Sequence, residues 1–154
     1  ALRLQQRAFQ QGDVAKYYLA LLHGRLPEDR CIVNAPLSRQ REGHVEESVV
    51  VDEIEGKPAK TIFKALQRWR DYTLVEAKLE TGRTHQIRVH AAHLGIPLAG
   101  DERYCAEHLL SQDRERGLKR MFLHAHRLDF NWPESNTVVS APLPDVLNDF
   151  VTSL

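Results

Sequence analysis

The sequence has little to staple it and nothing to anchor it in a bilayer. Its 154 residues hold two cysteines, Cys31 and Cys105, too few for a disulfide framework and without partners at metal-ligand spacing, which points to a reducing compartment. No apolar run approaches the roughly 20 residues of a membrane span, and no charged-then-apolar signal segment opens the chain. Charge of one sign is lacking too. The 21 Lys and Arg stand against 21 Asp and Glu, so no global positive field exists to hold a polyanion by counterion release. Met121 is the sole methionine and Ala1 comes first, from which a natural start elsewhere, and hence a C-terminal piece of a longer protein, is expected. What remains is one domain's worth of chain, long enough to bury a core, with a soluble, cytoplasmic protein as the expectation.

The apolar pattern sets out the elements. Residues 2–11 are good helix formers ending at Gly12, and residues 15–23 are nearly all apolar or aromatic, as in a strand covered on both faces. Residues 38–48 are polar, hold Gly43 and read as a loop; residues 49–51 suit a short strand before a turn at 55–58. Two β-compatible runs, residues 59–69 and 72–79, are split only by Arg70 and Asp71, the layout of a hairpin or meander. Residues 84–94 read as a helix with Ile87, Ala91 and Leu94 on one face, stopped by Gly95 and Pro97. A charged helix over 106–120, strands over 121–130 and 138–141 with a turn at 132–136 between them, and a last helix from Pro144 to about Ser153 complete the chain. Strands outnumber helices and follow one another directly, which predicts an α+β fold: a mostly antiparallel mixed sheet with flanking helices.

The run LETGRTHQIRVH, residues 79–90, carries the most information. Thr81 and Gly82 break the strand before them, Thr84 is placed to cap the helix, and free N–H groups at a helix start attract phosphate or carboxylate. Arg83 and Arg88 flank that start. The run resembles the signature of the large-ribosomal-subunit branch of the RNA pseudouridine synthases: Thr-Gly-Arg, His-Gln, an aliphatic residue, Arg and a second His. The resemblance extends along the chain through Lys16-Tyr17-Tyr18-Leu19-Ala20-Leu21, Ala35-Pro36-Leu37, Gly56-Lys57-Pro58-Ala59, Gly100-Asp101-Glu102-Arg103-Tyr104 and Leu123-His124-Ala125. The charged stretch between Tyr104 and Met121 narrows it to one subtype of that branch.

The resemblance implies that residues 1–154 are the C-terminal portion of a pseudouridine synthase catalytic domain, truncated on its N-terminal side. In such enzymes an aspartate attacks the target nucleoside, the glycosidic bond breaks, and the uracil turns and rejoins through carbon, with neither cofactor nor metal. The uridine must leave the RNA stack, so an aromatic residue is wanted to receive the base and a cation to keep the aspartate ionised. Tyr18 and Arg88 match those catalytic positions; Arg83, Thr84, His85, Gln86 and Leu123 are the substrate-binding candidates. The implied partner is large-subunit ribosomal RNA, bound by a protein that is monomeric when intact, with much of its RNA affinity in a separate basic N-terminal domain. The family's His-Arg-Leu-Asp-x-x-Thr-Ser-Gly aspartate motif does not occur here: His126-Arg127-Leu128-Asp129 is followed by Phe130, Asn131 and Trp132 and reads as a decoy. Arg88 is then expected to be a cation without its partner, and the alternative function is a catalytically silent RNA-binding or assembly fragment.

Plainer readings stand beside these. By pattern alone Tyr18 is a core tyrosine with its hydroxyl satisfied, Arg88 a helix-surface arginine and Leu123 ordinary core. Residues 83–86 serve either the RNA or the turn, and Asp101 and Tyr104 read as a structural turn. Arg114, Arg116, Lys119 and Arg120 suit phosphates, yet Asp113 and Glu115 interleave with them as on a solvated helix face. Eight histidines invite a zinc site, but His85 and His90 are five apart where the helical motif needs four, and Cys105 has no nucleophile elbow around it.

Overall fold

Apolar and alternating runs become eight strands in the computed structural model, which describes residues 14–40, 48–131 and 136–154. They are β1 (Val14–His23), β2 (Arg30–Asn34), β3 (Leu37–Gln40), β4 (Ser48–Val51), β5 (Lys60–Arg68), β6 (Tyr72–Leu79), β7 (Leu123–Asn131) and β8 (Asn136–Ser140). Three helices accompany them: α1 (Gln86–His93), α2 (Glu107–Glu115) and α3 (Asp145–Thr152). Six strands form one sheet in the order β2-β5-β6-β1-β7-β8, with every neighbouring pair antiparallel. The remaining two, β3 and β4, form a separate ribbon. The fold is α+β, as the pattern predicts.

The most apolar strand, β1, lies inside the sheet, paired to β6 on one side and β7 on the other. Side chains alternate along it, so Lys16, Tyr18, Ala20 and Leu22 face one way and Tyr17, Leu21 and His23 the other. On the first face, α1 delivers Ile87 and Ala91 onto Ala20, Leu22, Phe63 and Val75. On the second, Leu147 and Phe150 of α3 meet Leu21, Tyr72 and Phe122. Each large apolar side chain buried this way contributes about 1.5–3 kcal/mol. Backbone bonds from Ala99 N to Leu21 O (2.8 Å), Leu21 N to Phe122 O (3.3 Å) and Phe122 N to Ala99 O (2.9 Å) lace two loop segments onto β1.

Some elements depart from the pattern. The expected helix over residues 2–11 lies outside the described residues. The expected loop over 38–48 is in its described parts a ribbon, with Ser38 opposite Val50 and Arg39 opposite Val49. A ribbon that buries only Leu37 and Val49 needs no apolar run, so its sequence reads as polar connection. The edge strand β2 has no counterpart among the expected elements although Cys31, Ile32 and Val33 are apolar: the run is short, Val33 is its one buried residue, and the ladder to β5 holds it. Asp113, expected on a solvated helix face, is fully buried.

Candidate active site

The turn between β6 and α1 is built by a side chain from inside the helix. Thr84 does not cap it: α1 begins at Gln86, and the cap position is His85 in the left-handed region at φ 54°. Gln86, 2 % exposed, closes the turn instead. Its Oε1 accepts the Thr81 hydroxyl (2.8 Å) and Arg83 N–H (3.0 Å), while its Nε2 donates to Lys60 O (2.9 Å) and Thr61 Oγ1 (3.0 Å). Gln86 N–H in turn donates to Arg83 O, so the two residues bond reciprocally as in a capping box. One helical turn on, buried His90 donates from Nε2 to Ala35 O (2.9 Å), which leaves Nδ1 to accept from Thr61 Oγ1 (2.7 Å). Burial holds its imidazole below the usual range. Both polar side chains fasten α1 to the sheet, and every polar atom of each is committed within the protein.

Arg88 is not a cation without a partner. Its Nε and NH2 donate to Asp101 Oδ2 (2.9 Å) and Oδ1 (2.7 Å), a two-point pair in which the carboxylate is wholly buried and the guanidinium side chain keeps 17 % exposure. Burial opposes ionisation of Asp101, but Arg88 and the backbone N–H groups of Arg103 and Tyr104 outweigh it and hold the carboxyl below its ordinary value. The Tyr104 ring lies 5.1 Å from the guanidinium carbon. Its hydroxyl accepts Val49 N–H (3.0 Å), so its proton points to His85 Nδ1 (2.8 Å). Burial, then the Arg88 and Arg103 charges, hold His85 below the usual imidazole range, in keeping with an accepting Nδ1. The 101–104 segment is thus a turn, as read, and also the seat of Arg88. The sequence signal was an acidic residue in the Gly-Asp-Glu-Arg-Tyr motif thirteen positions beyond an arginine in a buried stretch.

Tyr18 is made differently. Its neighbours across the two adjacent strands are Ala77 on β6 and Ala125 on β7, so small side chains flank the ring on both sides. It is partly buried against the core under α1, and among the described residues its hydroxyl has no hydrogen-bond partner. Leu123 packs on the same core from the same sheet face, opposite Ala20. No hydrogen bond, ion pair or ring contact joins Tyr18 or Leu123 to Arg88 among the described residues. Arg83 donates from Nε to Pro58 O (2.9 Å), and Thr84 Oγ1 accepts from Arg39 (2.6 Å). Together with Leu37, Val49, Lys57 and Gly82 they line a groove of about 440 Å³ between the ribbon and the signature turn.

The other candidates separate by geometry. Asp129 pairs in register with Ala15, on the sheet face away from Tyr18, and lies 3.1 Å from Arg127, whose guanidinium covers the Tyr17 ring at 3.9 Å. Arg114 is paired with Glu102 and Glu107 and Arg116 with Asp71, while Lys119 and Arg120 are exposed. Cys105 is buried, and burial pushes its thiol up to about 11, so no thiolate forms near neutral pH. Among the described residues no three His, Cys, Asp or Glu side chains gather as a metal site, and no helix is long and apolar enough to cross a membrane.

The six-stranded antiparallel sheet with its flanking helices has known counterparts. The sequence profile of the RNA pseudouridylate synthase family matches residues 1–93, more than half of the chain, and the chain belongs to that family. It is 39% identical over its whole length to ribosomal large subunit pseudouridine synthase C of Vibrio vulnificus, of which it covers 48%. It is 40% identical, over 90% of its length, to ribosomal large subunit pseudouridine synthase D of Nitrosomonas europaea, of which it covers 40%. The solved structure of human RNA pseudouridylate synthase domain containing 1 superimposes with a TM-score of 0.76 at 31% identity, covering 94% of this chain and 62% of that one. The chain spans about half the length of the curated relatives it matches.

Proposed function

We propose that this chain supplies the base-receiving wall of a site that isomerises uridine to pseudouridine in large-subunit ribosomal RNA, in an enzyme of the C subtype. The observation that carries the reading is Tyr18: an aromatic ring between two alanines, its hydroxyl without a partner among the described residues, on the sheet face that bears Leu123. A core tyrosine has its hydroxyl satisfied; a base-stacking one presents an open π-face, worth about 1–3 kcal/mol per base. In this reading Arg88, aimed by Asp101 and Tyr104, turns its remaining N–H groups toward the attacking carboxylate and keeps it ionised. That nucleophile is contributed from outside these 154 residues, since the family's aspartate motif is absent from the sequence. The chemistry needs no cofactor or metal.

Arg83 and Thr84 border the RNA path along the groove, with Arg39 and Lys57 beside it, and His85, bonded to Tyr104, follows them at the start of α1. Gln86 acts by holding the turn. Balanced charge, 21 against 21, makes RNA binding by this chain weak at physiological salt, with most phosphate contacts made by other parts of the protein. The subtype rests on the charged stretch before Met121 and on the names of the relatives. We place the protein in the cytoplasm as a monomer, where its two thiols stay free.

The test is uridine isomerisation on unmodified large-subunit ribosomal RNA by this chain and by a version extended upstream through the aspartate motif. Activity in the extended protein, lowered about ten- to hundredfold in its Tyr18→Ala variant, is the expected result. Inactivity of both would favour the silent RNA-binding fragment, and activity of this chain alone would mean the nucleophile lies within it.

A further inference from the structure

Asp113 is a carboxylate in the wrong place for its neighbours. It sits in the charged stretch after Tyr104, among Arg114, Glu115 and Arg116, yet is fully buried. Three groups converge on it from three segments: His23 Nε2 at the end of β1 donates to Oδ2 (2.7 Å), the Tyr72 hydroxyl at the start of β6 to Oδ1 (2.7 Å), and Gly100 N–H to Oδ2 (2.9 Å). Burial works against its charge, and the bonds from His23, Tyr72 and Gly100 overcome that and hold the carboxyl below its ordinary value. A buried ion fixed this way is costly to assemble and hard to move.

What it fixes is the residue before Asp101. Gly100 has φ +76° and a Cβ there would lie 2.3 Å from Arg120 O, so its backbone is held between the Asp113 carboxylate on one side and the Arg120 carbonyl on the other. From that point the chain turns at once through Asp101, whose Oδ1 accepts Arg103 N–H (3.0 Å) and Tyr104 N–H (3.2 Å) and whose two oxygens hold Arg88. We infer that Asp113 is a positioning residue: by anchoring Gly100 to the ends of β1 and β6, it sets where Asp101 and Tyr104 stand and so where the Arg88 guanidinium points. It touches no substrate. The variable-looking charged stretch is, in this view, the brace of the signature arginine.

The consequence for catalysis rests on the proposed uridine isomerisation, but the brace itself is measurable without activity. The Arg88 Nε–H, bonded to Asp101, gives a resonance whose hydrogen exchange reports the pair. Asp113→Ala removes the Gly100 anchor, and exchange at Arg88 Nε–H is expected to rise about tenfold or more at a temperature where the protein stays folded. Asp113→Asn can keep an oxygen on Gly100 and turn its amide to Tyr72, and is expected to restore most of the protection. Tyr72→Phe lowers Tm but leaves the Oδ2 side intact, so Arg88 stays protected. In the active form, Asp113→Ala lowers kcat roughly ten- to a hundredfold with KM within about twofold, the size expected when a charge is misplaced rather than lost.

Equal effects of Asp113→Ala and Tyr72→Phe on Arg88 would overturn the inference, since both would then act through stability alone. So would a wild-type Gly100 amide that exchanges freely while Arg88 Nε–H is protected, a measurement that stands even if Asp113→Ala does not fold. An altered Arg88 signal in a protein inactive in every form would sink the proposed function and leave the brace standing; an altered signal with unchanged kcat would overturn the brace's part in the reaction.

Discussion

Gln86 in the signature turn and Tyr18 in the middle of β1 serve the same sheet face and are built in opposite ways. Around Gln86 every donor and acceptor is matched inside the protein, through Thr81, Arg83, Lys60 and Thr61. Around Tyr18 the neighbours are two alanines and the hydroxyl has no described partner. A closed polar network rigidifies and specifies, whereas an open aromatic edge keeps its interactions for something not yet bound. The difference teaches that most of the signature builds and orients, while the plainer strand leaves a side chain with capacity to spare.

The comparison can be broken from either side. The largest effect is expected at Arg88, where Arg88→Met leaves the buried Asp101 carboxylate without its cation and costs about 3–5 kcal/mol of stability by urea denaturation. Gln86→Leu leaves Arg83 N–H and the Thr81 hydroxyl proton without their acceptor and takes one donor from Lys60 O and Thr61 Oγ1, which keep Glu80 N–H and His90, costing about 2–4 kcal/mol; a loss under about 0.5 kcal/mol would mean the turn does not depend on it. In the protein extended upstream through the aspartate motif, Tyr18→Ala removes about 1–3 kcal/mol of stacking, read as a ten- to hundredfold fall in kcat/KM on ribosomal RNA with the fold retained in circular dichroism.

Smaller is the effect of pH. His85 and His90 titrate lower in the folded chain than the about 6.5 of the unfolded one, so below that pH the unfolded state binds protons first. The stability they help secure at neutral pH is therefore lost as pH falls through and below about 6.5. Asp101 and Asp113, held low in the fold, lose their contribution only below about pH 4. Urea midpoints at pH 7.5, 6.5 and 5.5 check the histidine part, and a flat series would contradict it. Smallest of all, Tyr18→Phe should change stability by less than about 0.5 kcal/mol, because among the described residues the hydroxyl has no bond to lose.

Much of the fold was legible because its signals are local. The apolar run of β1, the hairpin of β5 and β6 around Arg70 and Asp71, and α1 with Ile87 and Ala91 on its inner face follow from period and punctuation. Of the ribbon, β4 was legible in the short run 49–51, but β3 and β2 were not, since strands that bury one side chain each are held largely by backbone bonds. At the site, Tyr18 and Arg88 came from motif resemblance, while the cap at Thr84 was misplaced because Gln86, two residues on, satisfies the turn from inside the helix.

By itself the sequence determined most of the element types, the absence of one-sign charge and the motifs that carry the family, because each of these is written in neighbouring residues. Only the tertiary structure decided that Asp101 meets Arg88, that Asp113 is buried beneath Gly100 and that Asp129 faces away from Tyr18. Those facts depend on which side of a strand a residue faces and on which distant segments share one buried charge, and ion pairs and buried carboxylates are matched in space, over separations that local pattern does not record.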